Sequence, residues 1–324
     1  MKHMLRKTFV ILLILMLALA GLAGCGGKKA YKREKNTDKH AVTYPYVVHT
    51  ESADIYLAAA DVEMMGEEAF NQGLDQLLEN LEADLQDARE ALKPYMHIQV
   101  PKIAIYTDFA GRTEYGKRDE LGGFYNDSTV DIHIFQDWKA ASAALLHEYV
   151  HYLSIHCCDF ELDGYFWIEG IADYVSKIRC KNRMCVAVDY NTDEATLKEL
   201  LERGAGTEDG KLSTRRLYYG TASLYRSEAS IGIPYLAVSQ AMTQMTRAQL
   251  ETPFMNEMSY YEAACLFEYL VDNYGSKKVF SHLDISAKDF PEVYGKTFAE
   301  VVMDWTAALN DACREMGLKL DWLK

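Results

Sequence analysis

Residues 145–153 read LLHEYVHYL, and no other stretch constrains the chain as much. Placed on a helix, His147 and His151 stand four residues apart, about one turn, and project from one face. Glu148 is turned from them by about 100°. The surrounding run is apolar: Ala143, Ala144, Leu145, Leu146, Val150 and Leu153. Burying two imidazoles and a carboxylate there costs free energy unless they are paired or bind a metal. Two imidazoles at this spacing can hold one ion, and Glu148 can hold a metal-bound water without being a ligand. The alternative is a pair of satisfied core histidines. A third ligand separates the two readings.

Four residues downstream are candidates. His156 follows His151 by five positions, but the metzincin pattern needs Gly and His where this chain has Ser154 and Cys157. Asp159 and Glu161 fall in an expected loop. Glu169, in WIEGIADYV, opens a new helix 18 positions after His151, and a loop of that length can bring it back beside the first helix. Asp173 lies one turn further on the same face. There it can accept the spare ring N–H of a ligand histidine.

Together, HEYVH and WIEGIADYV resemble the gluzincin metallopeptidases, the thermolysin-like group. The resemblance implies one zinc ion on His147, His151 and Glu169, with Glu148 as general base and Asp173 orienting a histidine. The spacing is one residue shorter than in gluzincin aminopeptidases. A second block, SYYEAACLFEYLVDNYG (259–275), resembles the gluzincin helix whose leading tyrosine stabilises the tetrahedral intermediate. That implies Tyr260 as oxyanion donor, with Tyr261 as competitor; a merely packed tyrosine is the plain alternative. YGKTFAEVVMDW (294–305) resembles the closing helix of the group. The implied activity is hydrolysis of peptide bonds in a peptide or protein substrate. The aminopeptidase signature Gly-x-Met-Glu-Asn is absent, and DSTVDIHIF (127–135) resembles an edge strand that pairs with an extended peptide. Endopeptidase action is therefore favoured, with exopeptidase action left open. The rival function is a zincin-fold binding lipoprotein without turnover, and the intact Glu148 argues against it.

The N-terminus reads as an export signal over 1–24: Lys2, Arg6 and Lys7, then an apolar run from Phe9 to Gly24. A transmembrane anchor is the alternative, but 16 residues are short for a hydrocarbon core of about 30 Å. LAGC, ending at Cys25, resembles a bacterial lipobox and implies lipidation of Cys25 and anchoring on the extracytoplasmic face of the cell membrane. Residues 25–45 lack apolar periodicity and read as a flexible tether, with 46–324 as the peptidase domain. Without the signal the chain carries 31 basic and 48 acidic residues, a net charge of −17, which argues against nucleic-acid binding. Six cysteines remain after Cys25; a bridge between Cys157 or Cys158 and Cys180 or Cys185 is plausible in an exported protein.

The fold class expected is α+β of zincin-like form. A small mixed sheet and a long helix (46–155) precede a mainly helical lobe (156–324). Helical periodicity runs over Glu67–Leu92, Trp138–Ser154, Trp167–Ile178, Asp193–Arg203, Tyr260–Tyr274 and Thr297–Met316. Strands are expected in YVVHTESADIYL, HIQVPKIAIYTD and GGFYNDSTVDIHIF, with Gly122, Gly123, Asn126 and Asp127 marking a turn and Pro101 an edge or bulge.

Overall fold

The structure, a computed structural model, describes residues 31–111, 122–180, 182–184, 207–208, 211–212 and 260–315. It is mixed α+β, with a six-stranded sheet and a long helix. The strands are β1 (Arg33–Lys35), β2 (Tyr46–His49), β3 (Ala53–Leu57), β4 (Ile103–Thr107), β5 (Gly123–Asn126) and β6 (Asp131–Ile134). Their spatial order is β1-β2-β3-β4-β6-β5. The first three strands are antiparallel; β3, β4 and β6 run parallel; β5 returns antiparallel to β6. Helices α1 (Ala59–Met65) and α2 (Glu67–Leu92) connect β3 to β4.

Alternation places Ile55, Ile105 and Ile132 in the fully buried core. On the other face Tyr56, Tyr106 and His133 stack ring upon ring across β3, β4 and β6. The 36–45 segment lays His40 and Tyr44 against Tyr106, and Tyr44 donates to Asp108 Oδ1 across 3.0 Å. The compact unit thus begins at Arg33, within the stretch expected to be a tether. Arg33 finds partners there: its guanidinium lies 3.7 Å from the centre of the Tyr46 ring and donates to Asn71.

The bounds of α2 match the periodicity, with Phe70, Leu74, Leu81, Leu85 and Leu92 on its buried stripe. Pro94, in the turn Lys93–Tyr95, ends it. Helix α3 (Trp138–Tyr152) carries the two histidines, and Asp137 caps it by accepting the Ala140 N–H at 2.8 Å. Trp138 is buried between Phe70 and Phe109. Its indole needs Gly73 of α2, where a Cβ would meet Trp138 Cδ1 at 2.2 Å. That contact fixes where α3 begins, and so where its second and third turns lie.

Helix α3 widens into a π turn at Leu153–Cys157, and α4 (Tyr165–Asp173) does the same at Tyr174–Arg179. Such widened turns recur at functional sites. Trp167 anchors α4: its Nε1 donates to Ile285 O at 2.8 Å, and its ring packs on Phe267 and Phe290. A two-residue ladder follows, β7 (Thr207–Glu208) with β8 (Lys211–Leu212). Helix α5 (Tyr260–Tyr274) packs on α4, with Ala263 against Gly170. Helices α6 (Ser276–Phe280), α7 (Phe290–Tyr294) and α8 (Phe298–Glu315) complete the described chain.

Several expectations are corrected. The 127–135 segment is not an edge strand: β6 lies between β4 and β5, so both of its sides are taken. The terminal strand on that side of the sheet, among the described residues, is β5. Gly122 and Gly123 do not turn the chain but lead into β5, and the turn comes after Asn126, closed by the Val130 N–H on Asn126 O. Pro101 precedes an interior strand rather than marking an edge. Cys157, Cys158 and Cys180 are buried free thiols, with no bridge between them. Burial pushes the Cys158 and Cys180 thiols up to about 12. Residues 1–30, and with them Cys25, lie outside the described residues, as do the 193–203 helix and the Cys185 thiol.

Candidate metal centre

The third and fourth turns of α3 and the second turn of α4 meet over one small volume. His147 Nε2 lies 3.0 Å from His151 Nε2. Glu169 Oε2 lies 3.1 Å from the first of these nitrogens and 3.3 Å from the second. Three ligand atoms bound tetrahedrally at 2.0–2.2 Å stand about 3.3 Å apart, so the spacing fits one ion. Glu169 Oε2 is buried, and neither imidazole offers it an aligned hydrogen bond despite these distances. The three ligand atoms all lie within 4.8 Å of one another. This buried His-His-Glu group can hold one metal ion.

Tautomer chemistry agrees. His147 Nδ1 lies 2.6 Å from Asp173 Oδ1. A carboxylate on that nitrogen keeps the ring proton there and leaves a bare lone pair on Nε2. Burial works against a charged His147 ring, but Asp173, Glu169 and Glu148 outweigh it and hold its pKa well above the usual range. Burial likewise opposes the Glu169 charge, yet the two imidazoles hold its carboxyl well below the carboxylate range. Asp173 is fully buried, and Lys177 Nζ lies 2.5 Å from it.

Glu148 faces the sheet. The Tyr125 N–H donates to Glu148 Oε2 across 2.8 Å. Gly123 makes this approach feasible, because a Cβ there would stand 3.1 Å from Glu148 Cγ and 3.2 Å from Ala144 Cβ. Phe135 N–H bonds Gly122 O, and Val130 N–H bonds Asn126 O. By alternation the backbone groups of Gly123 and Tyr125 point away from β6, towards the side on which no strand pairs among the described residues.

The structure thus brings together His147, Glu148, His151, Glu169 and Asp173. His156 is turned elsewhere: its ring packs on Tyr125 and Tyr152, and its Nε2 lies 3.9 Å from Asp127. Asp159 and Glu161 do not join the cluster among the described residues. Tyr260 is the first residue of α5, three positions before Ala263, which packs beside Glu169's neighbour Gly170. The side chains of Tyr260 and Tyr261 lie outside the described residues.

Sequence reasoning missed two participants. The Tyr125 N–H is a backbone group and leaves no mark in the sequence. Lys177 does leave one: it follows Asp173 by four positions, the spacing of an intrahelical ion pair.

Comparison with known proteins finds no matching family model, no matching curated protein and no matching solved structure.

Proposed function

We propose that the chain is a gluzincin-like, zinc-dependent peptidase, anchored through lipid on Cys25 at the extracytoplasmic face of the cell membrane. One observation carries the catalytic part: a buried His147-His151-Glu169 group with Glu148 on the adjoining face of the same helix. Two imidazoles and one carboxylate are a donor set that suits zinc and leaves a coordination position open. A zinc ion held there lowers the pKa of a bound water towards neutrality and polarises the scissile carbonyl.

The protein's own groups do the rest. Asp173 holds the His147 ring in the tautomer that ligates. Glu148, steadied at Oε2 by Tyr125, takes a proton from the attacking water and passes it to the leaving amine. An extended peptide lies along β5, whose Gly123 and Tyr125 turn backbone groups to the open side. Tyr260 donates to the developing oxyanion. The site's position beside an open strand supports endopeptidase action. Among the described residues no helix is long and apolar enough to cross a membrane, and the anchoring reading rests on the LAGC sequence.

The test is cleavage of a mixed peptide library by the purified protein, with and without chelator, beside Glu148→Gln. Chelator-sensitive cleavage that is lost in the variant is the expected result. A wild-type protein that holds one zinc yet cuts nothing is instead a binding lipoprotein.

A further inference from the structure

Lys177, on the turn that extends α4, is a residue that the metal-site reading leaves unexplained. It is 4% exposed, and a lysine that deep is rare unless paired. Its Nζ lies 2.5 Å from both Asp173 Oδ1 and Oδ2. Asp173, itself without solvent exposure, passes its Oδ1 on to His147 Nδ1 at 2.6 Å. The π turn Tyr174–Arg179, which begins directly after Asp173, carries Lys177 back beneath the carboxylate. The result is a buried line from ammonium to carboxylate to imidazole, ending at the nitrogen that faces Glu169.

As a stability device this line is poor. Two charges taken out of water gain little over an apolar pair of the same volume. As a positioning device it is apt. A carboxylate gripped through both oxygens cannot rotate, so Oδ1 stays in line with the His147 N–H.

We propose that Lys177 is a positioning residue of the metal centre, acting through Asp173 to hold His147 in its ligating orientation and tautomer. The proposal rests on reading His147, His151 and Glu169 as metal ligands. Charge alone gives the opposite sign: deleting a cation near a dication site should tighten binding. Positioning says deletion weakens it.

The experiment is chelator competition for zinc on the full chain, with folding checked by circular dichroism, arranged as a double-mutant cycle. Lys177→Met is expected to weaken zinc binding about 10- to 100-fold, the usual cost of losing a partner behind a metal ligand. In an Asp173→Asn background the same substitution is expected to change affinity by less than about two-fold. Unchanged or tighter binding in Lys177→Met overturns the proposal, and so does an equal loss in both backgrounds. Should Lys177→Met alone not fold, the Asp173→Asn pair decides: equal affinity with and without Lys177 supports the proposal, and a further loss overturns it. A wild-type chain that binds no zinc defeats the metal reading itself and this proposal with it, a result distinct from the others.

Discussion

Tyr125 of the terminal strand and Glu148 of the histidine helix are joined by a single hydrogen bond, backbone N–H to carboxylate Oε2, 2.8 Å long. The bond ties the group proposed as general base to the strand proposed to seat the peptide. Glu148→Gln keeps an oxygen for that N–H and the volume of the side chain, but it offers no basic oxygen for a proton. Zinc content and melting temperature are therefore expected to stay near wild type, while peptide hydrolysis falls by about 10²- to 10⁴-fold. Loss of metal or of fold in this variant would show that Glu148 is structural.

Metal uptake should depend on pH. Burial opposes protonation of His147, yet the surrounding carboxylates hold its pKa well above the usual range, so the empty site retains a proton that an ion must displace. Zinc affinity is then expected to rise with pH across the neutral range, with about one proton released per ion bound. Calorimetry in buffers of different ionisation enthalpy measures that release.

Trp138 and Gly73 make a fold prediction that is independent of the chemistry. A methyl group on residue 73 would stand 2.2 Å from Trp138 Cδ1. Alanine normally favours a helix interior over glycine by up to about 1 kcal/mol. Here the clash reverses the sign, and Gly73→Ala is expected to destabilise the protein by about 1–3 kcal/mol. Because Trp138 opens α3, zinc affinity should fall with it. Denaturant unfolding beside a zinc titration checks both.

His133 lies on the sheet face away from the metal centre. Its Nδ1 is 2.5 Å from Asp108 and its Nε2 3.3 Å from Asp131. Burial opposes its charge, but the two carboxylates prevail and raise its pKa to about 9. A raised pKa means that the imidazolium's contribution is complete below the unfolded value of about 6.5 and is lost as pH climbs through the folded value. Stability is thus expected to decline between those limits, by an amount on the order of a few kcal/mol. His133→Asn should flatten that decline. A wild-type stability unchanged across the window would show that the two ion pairs contribute nothing.

How much of this was legible in the sequence follows the range of the forces involved. Helices α2 and α5 came out with the bounds that periodicity gives, because i to i+4 patterning is local. The same locality exposed His147, His151, Glu169 and Asp173, which need only helical spacing and one return of the chain. Strand order is not local. Nothing within 127–135 says that β6 is flanked on both sides, and its alternation fits the edge position that β5 holds equally well. Gly122 and Gly123 read equally as a turn or as a close approach, because glycine serves both where a chain bends and where a backbone must approach a helix. Arg33 reads as tether because its partners, Tyr46 and Asn71, are distant in sequence.

The central claim is that His147, His151 and Glu169 bind one metal ion, and elemental analysis of the purified chain tests it most directly. One zinc per wild-type chain is expected, falling close to zero in Glu169→Ala and persisting in Asp159→Ala and Glu161→Ala. A wild-type chain without metal, or zinc retained at full stoichiometry and affinity in Glu169→Ala, would contradict it.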